Sequence, residues 1–185
     1  ILAFLVLINF NQFTIFLALA SMPLAFTYPL MKRYTYWPQL FLGVTFNYGL
    51  ILGWTSVNTG AFLTPILFYL GAIFWTLGYD TIYGFQDIKD DEIIGLKSTS
   101  IKFKSNPYIF LCICYSIFFL TLIIIGFLMG LNKIYFLFLI PIFFQIFFYQ
   151  LKKLNIDISS DCLRVFKSNN LLGFLIFVSI LSGKL

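Results

Sequence analysis

Residues 79 to 100 read YDTIYGFQDIKDDEIIGLKSTS, and Asp80, Asp87, Asp90, Asp91 and Glu92 within them are five of the chain's seven acids. Asp80, Asp87 and Asp91 follow one another at spacings of seven and four. On a continuous helix these three carboxylates share one stripe, with Asp90 flanking it. Asp87 and Asp91 then stand one turn apart, roughly 6 Å along the axis. Like charges at that spacing weaken a helix, so the pattern predicts a compensating cation. A hard divalent ion such as Mg²⁺ suits it: the ion takes oxygen ligands, commonly one or two carboxylates plus substrate phosphate oxygens. Lys97 follows Asp91 by six residues, and Lys32-Arg33 supply a second basic point. Acids for a metal and bases for a diphosphate are the chemistry that these types and spacings allow. A lone D-x-x-x-D is a weak signal, and the bland alternative is a long solvated loop. Asp80, at the edge of an apolar run, reads either as a functional ionisable group or as an interfacial residue bonded to a neighbouring helix.

The elements that must position these residues are membrane spans. The chain is 61% hydrophobic and only 10% charged, against about a quarter charged in soluble domains. Its apolar runs are continuous rather than alternating, which argues for helices and against a barrel. The expected fold class is an all-α polytopic membrane protein in a lipid bilayer, with no nucleic-acid partner. Six spans are predicted: Phe13 to Leu30, Leu40 to Val57, Pro65 to Tyr83, Tyr108 to Met129, Ile134 to Gln150 and Leu171 to Leu185. Each approaches the ~20 residues that cross a bilayer, the sixth being the shortest. The opening ILAFLVLI is too short to span and reads as the end of a preceding helix. Residues 1–185 are therefore expected to be the C-terminal part of one membrane domain.

Charge orients the spans. Lys32 and Arg33, then Lys89, Lys97, Lys102 and Lys104, then Lys152, Lys153, Arg164 and Lys167 occupy alternate loops, leaving Lys133 and Lys184 opposite. Loops rich in Lys and Arg face the cytoplasm, or the matrix in a mitochondrion. All seven acids lie on the same side, and acids contribute little to orientation. Histidine is absent, which removes imidazole catalysis and His metal ligation. Cys112 and Cys114, two apart in an apolar run, point to different helix faces, and buried free thiols are the expectation for the three cysteines.

The stretch from Tyr79 through Asp80, Thr81, Tyr83, Gln86, Asp87, Asp90 and Asp91 to Ile94-Gly95 and Lys97-Ser98-Thr99 resembles the second aspartate-rich motif of the UbiA superfamily of intramembrane aromatic prenyltransferases. It is most similar to the 4-hydroxybenzoate polyprenyltransferase branch, which serves ubiquinone synthesis. Tyr28-Pro29-Leu30-Met31-Lys32-Arg33-Tyr34-Thr35 with Pro38-Gln39 and Leu42-Gly43 resembles a further signature of that branch, and Cys162, Phe166, Asn169-Asn170 and Gly173 its C-terminal segment. The resemblance implies a UbiA-like helix bundle with a central cavity capped by loops. It implies a first aspartate-rich motif upstream of Ile1, so this chain is expected to carry half of the metal site.

The resemblance also implies roles. Asp87 and Asp91 hold Mg²⁺ against the diphosphate of a polyprenyl donor, Asp90 supports them, and Lys97 contacts the same diphosphate. Metal and bases stabilise charge on the leaving group, and the ring carbon ortho to the phenol of 4-hydroxybenzoate attacks. Arg33 with Lys32 pairs with the benzoate carboxylate, unless the two are only a topology signal. Tyr79, Asp80 and Tyr83 are further substrate-side residues on the motif. Gly49 and Gly53 form a G-x-x-x-G that reads as a close-packing device. Asn47 faces either the cavity or a neighbouring helix. Other acceptors of the same superfamily (homogentisate, a naphthoate, haem) stay open, as does a cation-binding transporter, although a transporter places ionisable groups near the midplane.

Overall fold

Within hydrocarbon every backbone N–H and C=O needs a partner in its own segment, and this sequence answers with helices. The computed structural model describes residues 2–58 and 60–185, and no strand occurs among them. A short helix, Leu2–Leu7, precedes six helices long and apolar enough to cross a membrane. These spans are, first to sixth, Gln12–Tyr34, Pro38–Val57, Leu63–Gly84, Pro107–Leu128, Lys133–Lys153 and Ser159–Lys184. Two small helices, Ile88–Ile94 and Thr99–Lys102, lie between the third and fourth.

Five spans fall where the sequence places them to within a few residues. The sixth begins at Ser159, twelve residues before the expected Leu171. Its first part, Ser159–Lys167, is amphipathic: Cys162 and Val165 are buried while Arg164 and Lys167 are exposed. A search for unbroken apolar residues stops at such a segment.

The third and fourth spans form the centre, and small residues set their approach. A Cβ on Gly71 would stand 2.0 Å from Thr121 Oγ1, and one on Gly78 would stand 2.7 Å from the Tyr115 ring. Gly49 and Gly53 do the opposite of what their spacing suggests, since a Cβ on either meets nothing within 4 Å. Contact glycines are those whose face turns to a neighbour, and the second span turns this pair to open space. Asn47 is settled as a helix-to-helix bond. Its Nδ2 donates to Thr76 Oγ1 at 2.7 Å and to the Ala72 carbonyl at 3.2 Å on the third span.

A buried polar chain ties the other spans together. Tyr115 OH donates to Gln150 Oε1 (2.7 Å), Gln150 Nε2 donates to Asn169 Oδ1 (3.1 Å), and Trp75 Nε1 donates to the same oxygen (2.8 Å). The third, fourth, fifth and sixth spans are thus pinned at one level. Gln150 closes a π-helical stretch, Phe144–Gln150, that follows Pro141 in the fifth span. All three cysteines are free, as expected, but only Cys114 and Cys162 are buried; Cys112, on the other face of its helix, is exposed.

Contacts between loops define the two ends. At one end Lys97 N donates to the Lys32 carbonyl and Tyr108 OH to the Leu154 carbonyl. At the other, Asn132 N donates to the Gly183 carbonyl. The acidic motif and the basic loops share the first end.

Candidate functional site

The acidic stretch is not one helix. Asp80 sits in the last turn and a half of the third span, which ends at Gly84, and Asp87 is the residue before the separate helix Ile88–Ile94. The single stripe through Asp80, Asp87 and Asp91 is therefore corrected: Gly84-Phe85-Gln86 breaks the helix, and Asp80 belongs to another axis. Asp87 and Asp91 keep their one-turn relation, with Asp91 N bonded to the Asp87 carbonyl at 2.9 Å. Asp87 and Asp90 are exposed, and Asp91 is buried.

The compensation that like charges require comes from lysines. Lys32 Nζ lies 3.7 Å from Asp91 Oδ2, and Lys104 pairs with Glu92. Among the described residues no three acids, cysteines or histidines converge as a metal cage. Two carboxylates one turn apart, one of them exposed, still fit Mg²⁺ when phosphate oxygens and water complete its shell.

The path from the acids to Lys97 depends on Gly95. This residue takes φ +78°, a left-handed conformation that suits glycine. Gly95 N bonds to the Glu92 carbonyl and Leu96 N to the Asp91 carbonyl, the double closure of a helix that turns sharply back. The turn delivers Lys97 to the first loop. Its amide donates to the Lys32 carbonyl (2.8 Å), its Nζ to the Tyr34 carbonyl (3.3 Å), and its ammonium lies 5.6 Å from the Tyr36 ring centroid. Lys97 thus latches the two loops together.

Ser98-Thr99-Ser100 continues the latch inside the protein, with all three residues buried. Ser98 Oγ caps Thr99–Lys102, Thr99 and Thr81 hydroxyls share a 2.6 Å bond, and Ser100 Oγ donates to the Thr81 carbonyl. Gly84 makes room, since a Cβ there would meet Ser100 Oγ at 2.3 Å. Thr99 N donates to Gln39 Oε1 at 3.0 Å, which joins this segment to the start of the second span.

A pocket of about 230 Å³ opens beside the latch, lined by Tyr28, Pro29, Lys32, Pro38, Gln39, Leu42 and Asp80. Two stretches some forty residues apart in the chain converge here, the Tyr28-to-Leu42 signature and the aspartate motif. Gln39 is the residue that reasoning from charge missed; it is buried, joins both stretches, and was visible only as part of the Pro38-Gln39 pair. Tyr79 and Tyr83 face elsewhere. Both pack on Phe166 of the sixth span, with ring centroids at 5.8 and 4.8 Å, and Tyr79 also meets Trp75. Arg33 is exposed and does not line the pocket.

Comparison with known proteins adds an independent line. Residues 1–178 match the UbiA prenyltransferase family. The chain is 42% identical over 186 residues to the Bos taurus protein named 4-hydroxybenzoate polyprenyltransferase, mitochondrial, covering 100% of this chain and 50% of that protein. It is 39% identical to the Arabidopsis thaliana protein of the same name, covering 97% and 44%. It is also 39% identical to 4-hydroxybenzoate geranyltransferase 2 of Lithospermum erythrorhizon, covering 97% and 59%. The chain thus spans about half the length of the curated relatives it matches. The solved apo structure of a UbiA homolog from Aeropyrum pernix K1 shares the fold, with a TM-score of 0.78 at 19% identity, over 97% of this chain and 67% of that one.

Proposed function

The chain belongs to the UbiA prenyltransferase family, and on that premise we propose that the whole protein transfers a polyprenyl group from polyprenyl diphosphate to the ring of 4-hydroxybenzoate, a step of ubiquinone synthesis. The observation that carries this reading is the convergence of the Lys32 stretch and the aspartate motif around one small pocket beside Asp91. The names of the relatives supply the acceptor. The mitochondrial names among them support a mitochondrial inner membrane, with the acidic loop toward the matrix by the charge of its neighbours.

Asp87 and Asp91 are the residues that would hold Mg²⁺, with Asp90 beside them. Magnesium, when bound, supplies Lewis-acid stabilisation of the charge that builds on the departing diphosphate. Lys97 and Lys32 stand on the same rim and present ammonium groups to that charge. Lys32, as part of the pocket lining, also offers a cation to the benzoate carboxylate, with Arg33 next to it in sequence.

The test is Mg²⁺-dependent transfer of a labelled polyprenyl diphosphate to 4-hydroxybenzoate in membranes carrying the intact protein. Asp87→Asn/Asp91→Asn is expected to lower transfer about 100-fold or more while the protein still inserts. Undiminished transfer in the double variant would show the acids to be a solvated loop. Transfer only to a different ring would replace the acceptor.

A further inference from the structure

Asp80 differs from every other acid of the motif. It is part-buried at the end of a membrane span, it lines the pocket, and it has no hydrogen-bond or ion-pair partner among the described residues. A carboxylate in that position is costly unless something uses it. Lys32 lines the same pocket but gives its charge to Asp91, so the pocket's acid and base are not joined to each other. Tyr28, Pro29, Pro38 and Leu42 supply the remaining, mostly apolar, wall. At about 230 Å³ the volume falls below the ~300–1,000 Å³ typical of drug-sized ligands and suits a single ring.

Gln39 fixes the polarity of the third polar group. Its amide oxygen must face Thr99 N, because only oxygen can accept that proton. The amide nitrogen is then a donor with no hydrogen-bond partner among the described residues, on a side chain that is 3% exposed and lines the pocket.

We propose that Asp80 is the base of the transfer, accepting the phenolic proton of the acceptor while Gln39 Nε2 donates to the phenolic oxygen. The assignment rests on the acceptor reading above. The pocket lining offers a para-hydroxylated benzoate both partners it needs, the Lys32 cation for its carboxylate and the Asp80 carboxylate for its hydroxyl. As the ortho carbon attacks, the new carbon–carbon bond forms and the allylic carbon–oxygen bond breaks, its electron pair leaving on the diphosphate. The phenolic proton passes to Asp80, so the ring becomes a neutral dienone instead of a cation. The dienone then loses its ring C–H proton to the diphosphate, and Asp80 returns its proton to the oxygen as aromaticity is restored. The net change is one proton released, with no further reactant.

The test compares intact wild-type protein with Asp80→Asn in membranes, using 4-hydroxybenzoate and its more acidic 3-fluoro derivative, which keeps one ortho carbon free. Positioned bases contribute about 10²–10⁴-fold, so kcat for 4-hydroxybenzoate is expected to fall about 100-fold or more with the KM of the donor unchanged. The wild-type-to-variant ratio cancels the ring's own reactivity. That ratio is expected to shrink for the fluoro acceptor, and to shrink for both acceptors as pH rises and the phenol ionises unaided. A merely structural role for Asp80 moves neither trend. A ratio within about threefold of one, or an equal ratio for both acceptors at every pH, overturns the inference while leaving the acceptor reading intact. Wild-type protein that transfers nothing to 4-hydroxybenzoate overturns the acceptor reading and this inference with it. Asp80→Ala, which replaces the carboxylate by an apolar group that inserts readily, gives the same two ratios should the Asn variant fail to accumulate.

Discussion

Replacing Gln150 by Leu removes the middle of the Tyr115–Gln150–Asn169–Trp75 chain. Two interhelical hydrogen bonds disappear, at 2.7 and 3.1 Å. Measured values for such bonds within membranes average about 0.6 kcal/mol and reach about 1.7. The greater cost comes from the groups left behind. Tyr115 is fully buried, and its hydroxyl is left without an acceptor where no water can replace it, a cost of about 1–3 kcal/mol. Asn169 suffers less, because its oxygen keeps the Trp75 indole. The sum is a destabilisation of about 2–4 kcal/mol. Tyr115→Phe alone strands only Gln150 Oε1 and costs about 1 kcal/mol. In the double variant the stranded hydroxyl is gone, so the combined loss falls short of the sum by about 1–2 kcal/mol. Equilibrium unfolding of the intact protein in mixed micelles reads all four corners of this cycle. Additivity within about 0.5 kcal/mol, or a neutral Gln150→Leu, would refute the view that this chain is a bonded unit.

Other expectations concern packing and the latch. Gly71→Ala and Gly78→Ala drive a methyl group against Thr121 and Tyr115 and are expected to cost about 1–3 kcal/mol each. Gly49→Ala and Gly53→Ala meet open space and are expected to be neutral or to stabilise by up to about 1 kcal/mol through helix propensity; thermal unfolding separates the two pairs. Gln39→Leu strands the buried Thr99 amide at a cost of about 1–3 kcal/mol, and hydrogen exchange is expected to rise across residues 97 to 101. Lys32→Met removes a cation shared by Asp91 and the pocket, so the KM of both donor and acceptor is expected to rise together. A rise for one substrate alone would separate the two roles.

Much of the fold was legible because lipid imposes a single rule. Apolar runs of the right length become helices, and Lys and Arg mark their common end, so five spans emerge without any contact information. The sixth shows where the rule stops: Ser159–Lys167 offsets its polar face by burying Cys162 and Val165, and only a helical period exposes that pattern, not mean hydropathy. The glycines show the same boundary from the other side. Spacing identifies Gly49 and Gly53 as a pair, but which face meets a neighbour is a property of the bundle.

The site divides along a similar line. The charged residues were legible, because an acid or a lysine is expensive near hydrocarbon and its position asks for a reason. Asp80, Asp87, Asp91, Lys32 and Lys97 all gather at one end for that reason. What charge cannot convey is partnership. Read as a linear motif, Lys97 suggests a diphosphate contact; in three dimensions its backbone and side chain bind the Lys32-to-Tyr34 loop. Tyr79 and Tyr83 share a motif with Asp80, yet standing one residue before and three residues after it on the helix turns them toward Phe166 while Asp80 lines the pocket that Lys32 also lines. Gln39 carries no charge and fits no acid–base pattern, so only its burial between Thr99 and the pocket reveals it. The uncharged residue bonds to Thr99 and lines the pocket, so it joins the two stretches whose charged members, Lys32 and Asp80, meet there.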